Sequence, residues 1–500
     1  ENTDSETTFD SRSSISEKSI IASVRYGQVL GDVVGTLSKN TEGNDQITTE
    51  GNAAYVTIGK DVTVTDSVFG GGKLAILGGF EYIENGNEIT GKFTGKATVV
   101  HISGNVNGNV FGGGEGHASG AVSGSVKDTL VIIDGSAEIG GNLEVVSPIG
   151  LPISSGNVYG GGSLSITGNF EFKNLWDMYR PEDVECDWAG NVSESTNVNI
   201  SKGIIKGSVY GGGFSPIATI AGSTHVWIGD YSAGIGTGGI PAIIEKTVPD
   251  SIADDNLIIN GSVYGGGEMG SVGTTTLLNG TDENGQLLED SVGHVSANVS
   301  VSYKSNTITI EGDIFGGGKG VLNVQVTIEL HKGDGSGTLI KRSVLGQAMV
   351  RGYTTVTIEG NASNYSDVFI KESVFGGGKG VQNDAYALHY AKVYGYTVVN
   401  VSSATINGSV YGGGELGIIG QFIDKDVISA GESTEVGLVI DGTYYPKAVI
   451  KYVEPKNGRY NIYANQSAVD NNADPLKSNI LIISREYCSD DLTSATDGTH

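Results

Sequence analysis

The stretch TVVNVSSATINGSVYGGG, from Thr397 to Gly414, sets two short alternating runs against three consecutive glycines. Val and Ile alternate with Thr, Ser and Asn, the period-2 pattern of strands with one buried face. Ile406, Gly408 and Val410 share one face, and Asn407 and Ser409 share the other. A glycine or asparagine bend separates the two runs. Close relatives of its last six residues recur along the chain, so what explains one copy explains the architecture.

The hexapeptide [S/N/D]-[V/I]-[F/Y]-G-G-G starts at Ser67, Asn109, Asn157, Ser208, Ser262, Asp313, Ser373 and Ser409. Successive starts lie 42, 48, 51, 54, 51, 60 and 36 residues apart. SVLGQA from Ser343 reads as a decayed copy that splits the 60-residue gap, which makes about 30 residues the basic turn and the longer intervals turns with insertions. Repeats of short strands and bends with variable insertions fit an all-β, right-handed parallel β-helix, a β-solenoid in which each coil pairs with the next at about 4.8 Å.

In that fold the glycines belong at a corner where the backbone takes left-handed or otherwise forbidden dihedrals and neighbouring coils stack too closely for side chains. The aromatics Phe69, Phe111, Tyr159, Tyr210, Tyr264, Phe315, Phe375 and Tyr411 then form a structural ladder. Strict alternation points Phe111 outward, a bulge turns it inward, and both remain open. Interchange of Phe with Tyr points to an edge where a hydroxyl reaches water.

Residues 1–20 are polar and acidic and read as a disordered or loosely docked arm. Coils run over 21–420, beginning with a capping turn near Ile21 to Leu37, with notable insertions at 170–191 and 231–256. Over 421–500 the glycine signature gives way to alternating runs joined by Asp-Gly and Asn-Gly turns, a small C-terminal β cap or module with a polar tail.

Fifty-seven acidic against thirty basic residues give a net charge of −27, which argues against nucleic acid and anionic membranes as partners. No apolar run spans a bilayer, so no membrane insertion is expected. The start at Glu1, without Met or a signal-like segment, reads as a processed or excised soluble piece. Cys186 and Cys488 stand far apart without a C-x-x-C and read as two buried thiols.

Known chemical motifs are few. Three G-x-G-x-x-G matches open no helix of a βαβ unit, and phosphate-loop, H-E-x-x-H and G-x-S-x-G patterns are missing. His101, His117, His225, His294, His331, His389 and His500 show no metal-ligand spacing and read as surface or capping residues. No cofactor is expected. Stacked calcium sites lack their aspartate, and isolated calcium on TDENG or HKGDGSG stays open. The 170–191 insertion carries aromatic and acidic residues on what reads as a loop held by a rigid scaffold. Trp176, Tyr179, Arg180 and Trp188 are its candidate ligand-binding residues, with packing against the flank as the alternative.

The repeated V-[F/Y]-G-G-G coil, from Ser67 to about Gly420, resembles the glycine-rich β-helical adhesin-type surface proteins of bacteria. That resemblance implies an extracellular or cell-surface location and attachment to a glycan, mucin or cell-surface protein. It carries over no catalytic residue. The expected function is a non-catalytic adhesin or stalk. A polysaccharide lyase or glycosidase on the same scaffold, and a trimeric phage-like fibre or tailspike, are the alternatives.

Overall fold

The computed structural model describes residues 20–36, 46–47, 53–85, 88–116, 124–141, 144–146, 152–168, 170–172, 195–229, 256–273, 295–322, 324–331, 339–382, 390–419, 433–440, 443–454 and 459–481. Nearly all regular structure is strand, and two long sheets are built from parallel neighbours.

One coil shows how the sequence makes them. Ser195–Ile200 forms a first strand, Gly203–Ile205 a second and Val209–Tyr210 a third. Gly211 to Gly213 follow, then single-residue bridges at Phe214 and Ile220, and Ser223–Gly229 opens the next coil one layer up. First and second strands merge into a 16-stranded sheet, and third strands make a nine-stranded sheet of two-residue strands. The bridges at Thr167, Ile220, Val272, Val350, Val393 and Ile419 add a further parallel row.

Register is kept residue for residue. Val100, Val131, Val198, Val226, Val299 and Val356 stack in one row of the first strands. They meet Val106, Ile139, Ile205, Ile259, Ile310 and Ile370 of the second strands, and Val110, Val158, Val209, Val263, Ile314 and Val374 of the third, in one continuous apolar core. Burying a Val or Ile side chain is worth about 1.5–3 kcal/mol. Each coil therefore adds several such contributions and carries its own share of the core.

The first strand, Ile20–Val29, pairs with Ala53–Val64, and Val33–Val34 pairs with Val68–Phe69, so the segment read as a capping turn joins the ladder as a coil. Its Val33, Val34 and Gly35 are a degenerate copy of the motif. Ser433–Ile440, Thr443–Glu454, Arg459–Tyr463 and Lys477–Leu481 form a separate antiparallel sheet, as the hairpin turns implied.

Two expectations are corrected. SVLGQA is not a coil: Leu339–Leu345 pairs antiparallel with Gln325–His331 in an inserted hairpin, while Ile314–Phe315 pairs directly with Val374–Phe375. The 60-residue interval is thus one coil with an insertion, because a hairpin closes locally where the triple glycine is missing. The triple glycines do not take left-handed dihedrals either, since none has a positive φ. What the inner copies show is close approach. A Cβ on Gly112 would fall on the carbonyl oxygen of Gly160, and one on Gly211 on that of Gly265.

Candidate functional site

The motif's first position explains its restriction to Ser, Asn and Asp. The backbone N–H of Ser67 donates to Asp32 Oδ1 at 2.9 Å, that of Asn109 to Ser67 Oγ at 3.0 Å and that of Asn157 to Asn109 Oδ1 at 2.8 Å. The series continues through Ser208, Ser262, Asp313, Ser373 and Ser409. Only a short side chain with an oxygen reaches the next coil's amide. A second row runs inside: Thr98, Thr129, Thr196, Thr224, Thr354 and Thr397 each donate a hydroxyl to the first carbonyl of their own coil's triple glycine.

The aromatic ladder is continuous. Ring centroids from Phe69 to Tyr411 repeat at 4.8–4.9 Å with planes within 11° of parallel. The rings form a cluster with Ile153, Phe214 and Met269 apart from the core that holds Val110, so strict alternation is obeyed and the outer side is itself covered. The edge reading is corrected: the ladder is buried from Phe69 to Phe315, half-buried at Phe375, and open only at its end, where Tyr411 is 48% exposed.

Charged side chains lie beside both the Phe and the Tyr members of the ladder. The residue after each triple glycine forms a column, Lys73, Glu115, Ser163, Phe214, then Glu268, Lys319, Lys379 and Glu415. Lys73 pairs with Asp32 at 3.0 Å and Glu115 at 2.8 Å, Lys319 with Glu268 at 2.8 Å, and Lys379 with Glu415 at 2.8 Å. Burial lifts the Glu115 carboxyl above its ordinary range against the pull of Lys73. Lys73 lies 6.0 Å from the Phe69 ring centre and Lys379 5.4 Å from that of Phe315. Where the ladder is Tyr, Glu268 takes over: Tyr159 donates to its Oε2 at 2.6 Å. Burial first, and the Glu268 charge second, push the Tyr159 and Tyr210 phenols well up, so both stay protonated donors.

Two clusters have the composition of chemical sites. His101 Nε2 lies 2.8 Å from Asp134 Oδ2, and Ser103 donates to Asp134 Oδ1 at 2.5 Å. Burial opposes ionisation of Asp134, but the hydrogen bonds from His101 and Ser103 and the nearby cations hold its carboxyl below the ordinary range. This is not a nucleophilic triad, because Ser103 and Asp134 both address one ring nitrogen and the hydroxyl proton already goes to the carboxylate. The other cluster is Arg351, Lys392 and Tyr394 on the outer flank of the valine row, where both cations are buried and both lie against one ring.

The residues predicted for ligand binding, Trp176, Tyr179, Arg180 and Trp188, lie outside the described residues, as do Cys186, Cys488, most of the 231–256 insertion and the acidic loops considered for calcium. The root of the 170–191 insertion is described. Phe170–Phe172 pairs antiparallel with Glu88–Gly95, itself paired with Ile76–Asn85, which pairs with Gln46–Ile47. Insertions from separate coils thus build one lateral four-stranded sheet. His225 is pushed below its ordinary pKa by burial and stacks on Trp227, on the flank and not at a cap. Among the described residues no group of three or more His, Cys, Asp or Glu could hold a metal ion, and no helix is long and apolar enough to cross a membrane. The charge column and the acceptor column escaped sequence reading because their members stand tens of residues apart, and only the motif spacing could have aligned them. Compared with protein-family models, curated proteins and solved structures, the chain gives no match.

Proposed function

We propose that the chain is a closed, right-handed β-helical rod of the bacterial surface-adhesin type, secreted or cell-surface, which displays ligand-binding loops and does no chemistry itself. Right-handedness follows the general rule for crossovers between parallel strands. The observation that carries the reading is the lateral sheet, in which strands from three coil insertions fix the root of the 170–191 loop to the rod. A loop launched from a rigid base loses less entropy on binding, which is how scaffolds present recognition residues.

The rod itself suits display. Nine layers at 4.8–4.9 Å give about 40 Å of described length, every layer tied to the next by the amide column, and most of them also by the aromatic ladder and by ion pairs. Carboxylates along the corner, Glu115, Glu268 and Glu415, are paired with lysines and not gathered for acid–base work. The ligand expected is a glycan, mucin or cell-surface protein, taken by Trp176, Tyr179, Arg180 and Trp188. A glycan and mucin array probed with the chain and with a Trp176→Ala, Trp188→Ala double variant tests this. Selective binding lost in the variant supports it, and no binding by either protein overturns the glycan reading.

A further inference from the structure

The last described coil is built like an inner one. Thr397–Ser402, Thr405–Ile406 and Val410–Tyr411 pair with the coil before them, and among the described residues no strand follows them in either long sheet. Val401 and Val410 stand in the core rows of Ile358 and Val374, which are fully buried, yet they are themselves 40% and 50% exposed. At the opposite end of the same core, Ala22, Val24 and Val29 of the first coil are half-buried. A terminal repeat normally turns a polar face outward, and the last coil keeps the apolar residues of its inner neighbours instead.

The glycines sharpen the point. A Cβ on Gly377 would lie 2.8 Å from the nitrogen of Gly414, and one on Gly376 would fall on the Gly412 carbonyl oxygen, because the next coil sits at contact distance. On Gly412 and Gly413 the same atom meets nothing within 4 Å. Glycine costs chain entropy and is kept where close approach demands it, so the last coil carries the signature of a neighbour that the described layers do not supply. The backbone agrees: Val374 and Gly376 donate their N–H groups to the carbonyls of Ser409 and Tyr411 one layer on, and Val410 and Gly412 occupy those two positions in the last coil.

Sequence decides what fits there. Every coil that brings its backbone to contact distance at this corner has the form [S/N/D]-[V/I]-x-G, and after Gly414 no stretch of the chain has it. The first coil does, in Asp32, Val33, Val34 and Gly35, and it already stacks through those residues on Val68 and Phe69 of the next coil. We propose that the first coil of a second copy stacks on the last coil of this one, so that chains associate head to tail through a continued parallel ladder. The contact is heterologous, joining unlike surfaces, and each addition presents the same last coil again, so growth does not close on itself. A net charge of −27 on each copy opposes approach, and salt therefore strengthens the contact. The inference concerns the ends of the stack and does not rest on the glycan reading above.

The test follows the full chain by sedimentation velocity from about 1 μM to about 1 mM, in about 0.15 M salt to screen its charge. The expected result is a series of species that grows past the dimer as concentration rises. Gly412→Ala adds a Cβ that meets nothing within its own chain, so it keeps the wild-type melt, yet that Cβ stands where the second copy's backbone must come. It is expected to weaken association at least tenfold, and Val410→Lys on the same face to do the same. In an equimolar mixture the Gly412→Ala chain still joins a wild-type last coil through its own first coil, and so shortens the wild-type assemblies. Growth that halts at the dimer marks contact between like faces and overturns the proposal, as does equal association of the wild type and Gly412→Ala. A monomer at every concentration overturns it too, and protection of the Val410 and Gly412 amides from hydrogen exchange in that monomer gives the face to this chain's own residues after Ile419.

Discussion

The phenol of Tyr159 donates to Oε2 of Glu268 although the two stand 109 residues apart and two layers apart along the rod. The same carboxylate holds Lys319 through its other oxygen at 2.8 Å, so one side chain joins the aromatic ladder to the charge column. Replacing Glu268 by Ala leaves a fully buried hydroxyl and a lysine without their acceptor, at a cost of about 2 kcal/mol. Tyr159→Phe in that background costs less than it does alone. Urea unfolding of the four proteins in the cycle measures the coupling, and strict additivity would contradict the bond's role.

Glycines of the same motif differ by position. A Cβ on Gly112 meets the Gly160 carbonyl and lies 2.9 Å from Thr129 Cβ, whereas one on Gly412 meets nothing within 4 Å. Gly112→Ala is therefore expected to cost about 3 kcal/mol or more, and Gly412→Ala to change stability by about 0.5 kcal/mol at most. Circular dichroism melts of the two variants separate close stacking from any dihedral requirement, which would penalise both alike.

The threonine row has a gap at Ala297, which stands in register between Thr224 and Thr354 and is fully buried. Its coil's first glycine, Gly316, lacks the hydroxyl that Gly265 and Gly376 receive. Ala297→Thr is expected to stabilise by about 1 kcal/mol. An unchanged or lower denaturation midpoint would show that the site has no room for the added atoms.

Lys392 makes stability depend on pH in a defined window. Its ammonium is held at about 8 against an ordinary 10.5, so the unfolded chain binds the proton more tightly between those values. Below about 8 both states are protonated and the penalty is full. As pH rises from about 8 to 10.5, stability rises by about 3 kcal/mol from this group, with Arg351 and Tyr394 as its facing neighbours. Lys392→Met is expected to be more stable at pH 7 and to lose that slope. Chemical unfolding at pH 7, 8.5 and 10 reads the difference.

Much of the layer was legible. Val and Ile spaced by two, and a hexapeptide at fixed order, imply parallel strands stacked in register, and rows such as Val100 to Val356 follow. The buried side of Phe111 was not legible, because alternation gives direction but not what covers the outer face; Phe214 and Met269 arrive from segments with no pattern of their own. Ser343 misled because SVLG copies the strand but not the glycines, and the glycines are what permit a neighbouring coil at contact distance. The Arg351 and Lys392 cluster joins residues from separate coils and leaves no local signature. Trp176 and Trp188 were readable as unusual residues, but their role depends on tertiary placement that no spacing encodes.

The Ser, Asn and Asp column always runs one way: a later coil's amide donates to an earlier coil's side-chain oxygen. The stack of layers is therefore polar. A cut between any two layers creates unlike faces, one lined with side-chain acceptors and the other with amide donors. Complementary fragments of this chain can rejoin in only one orientation, so directionality is written into every layer by a single oxygen.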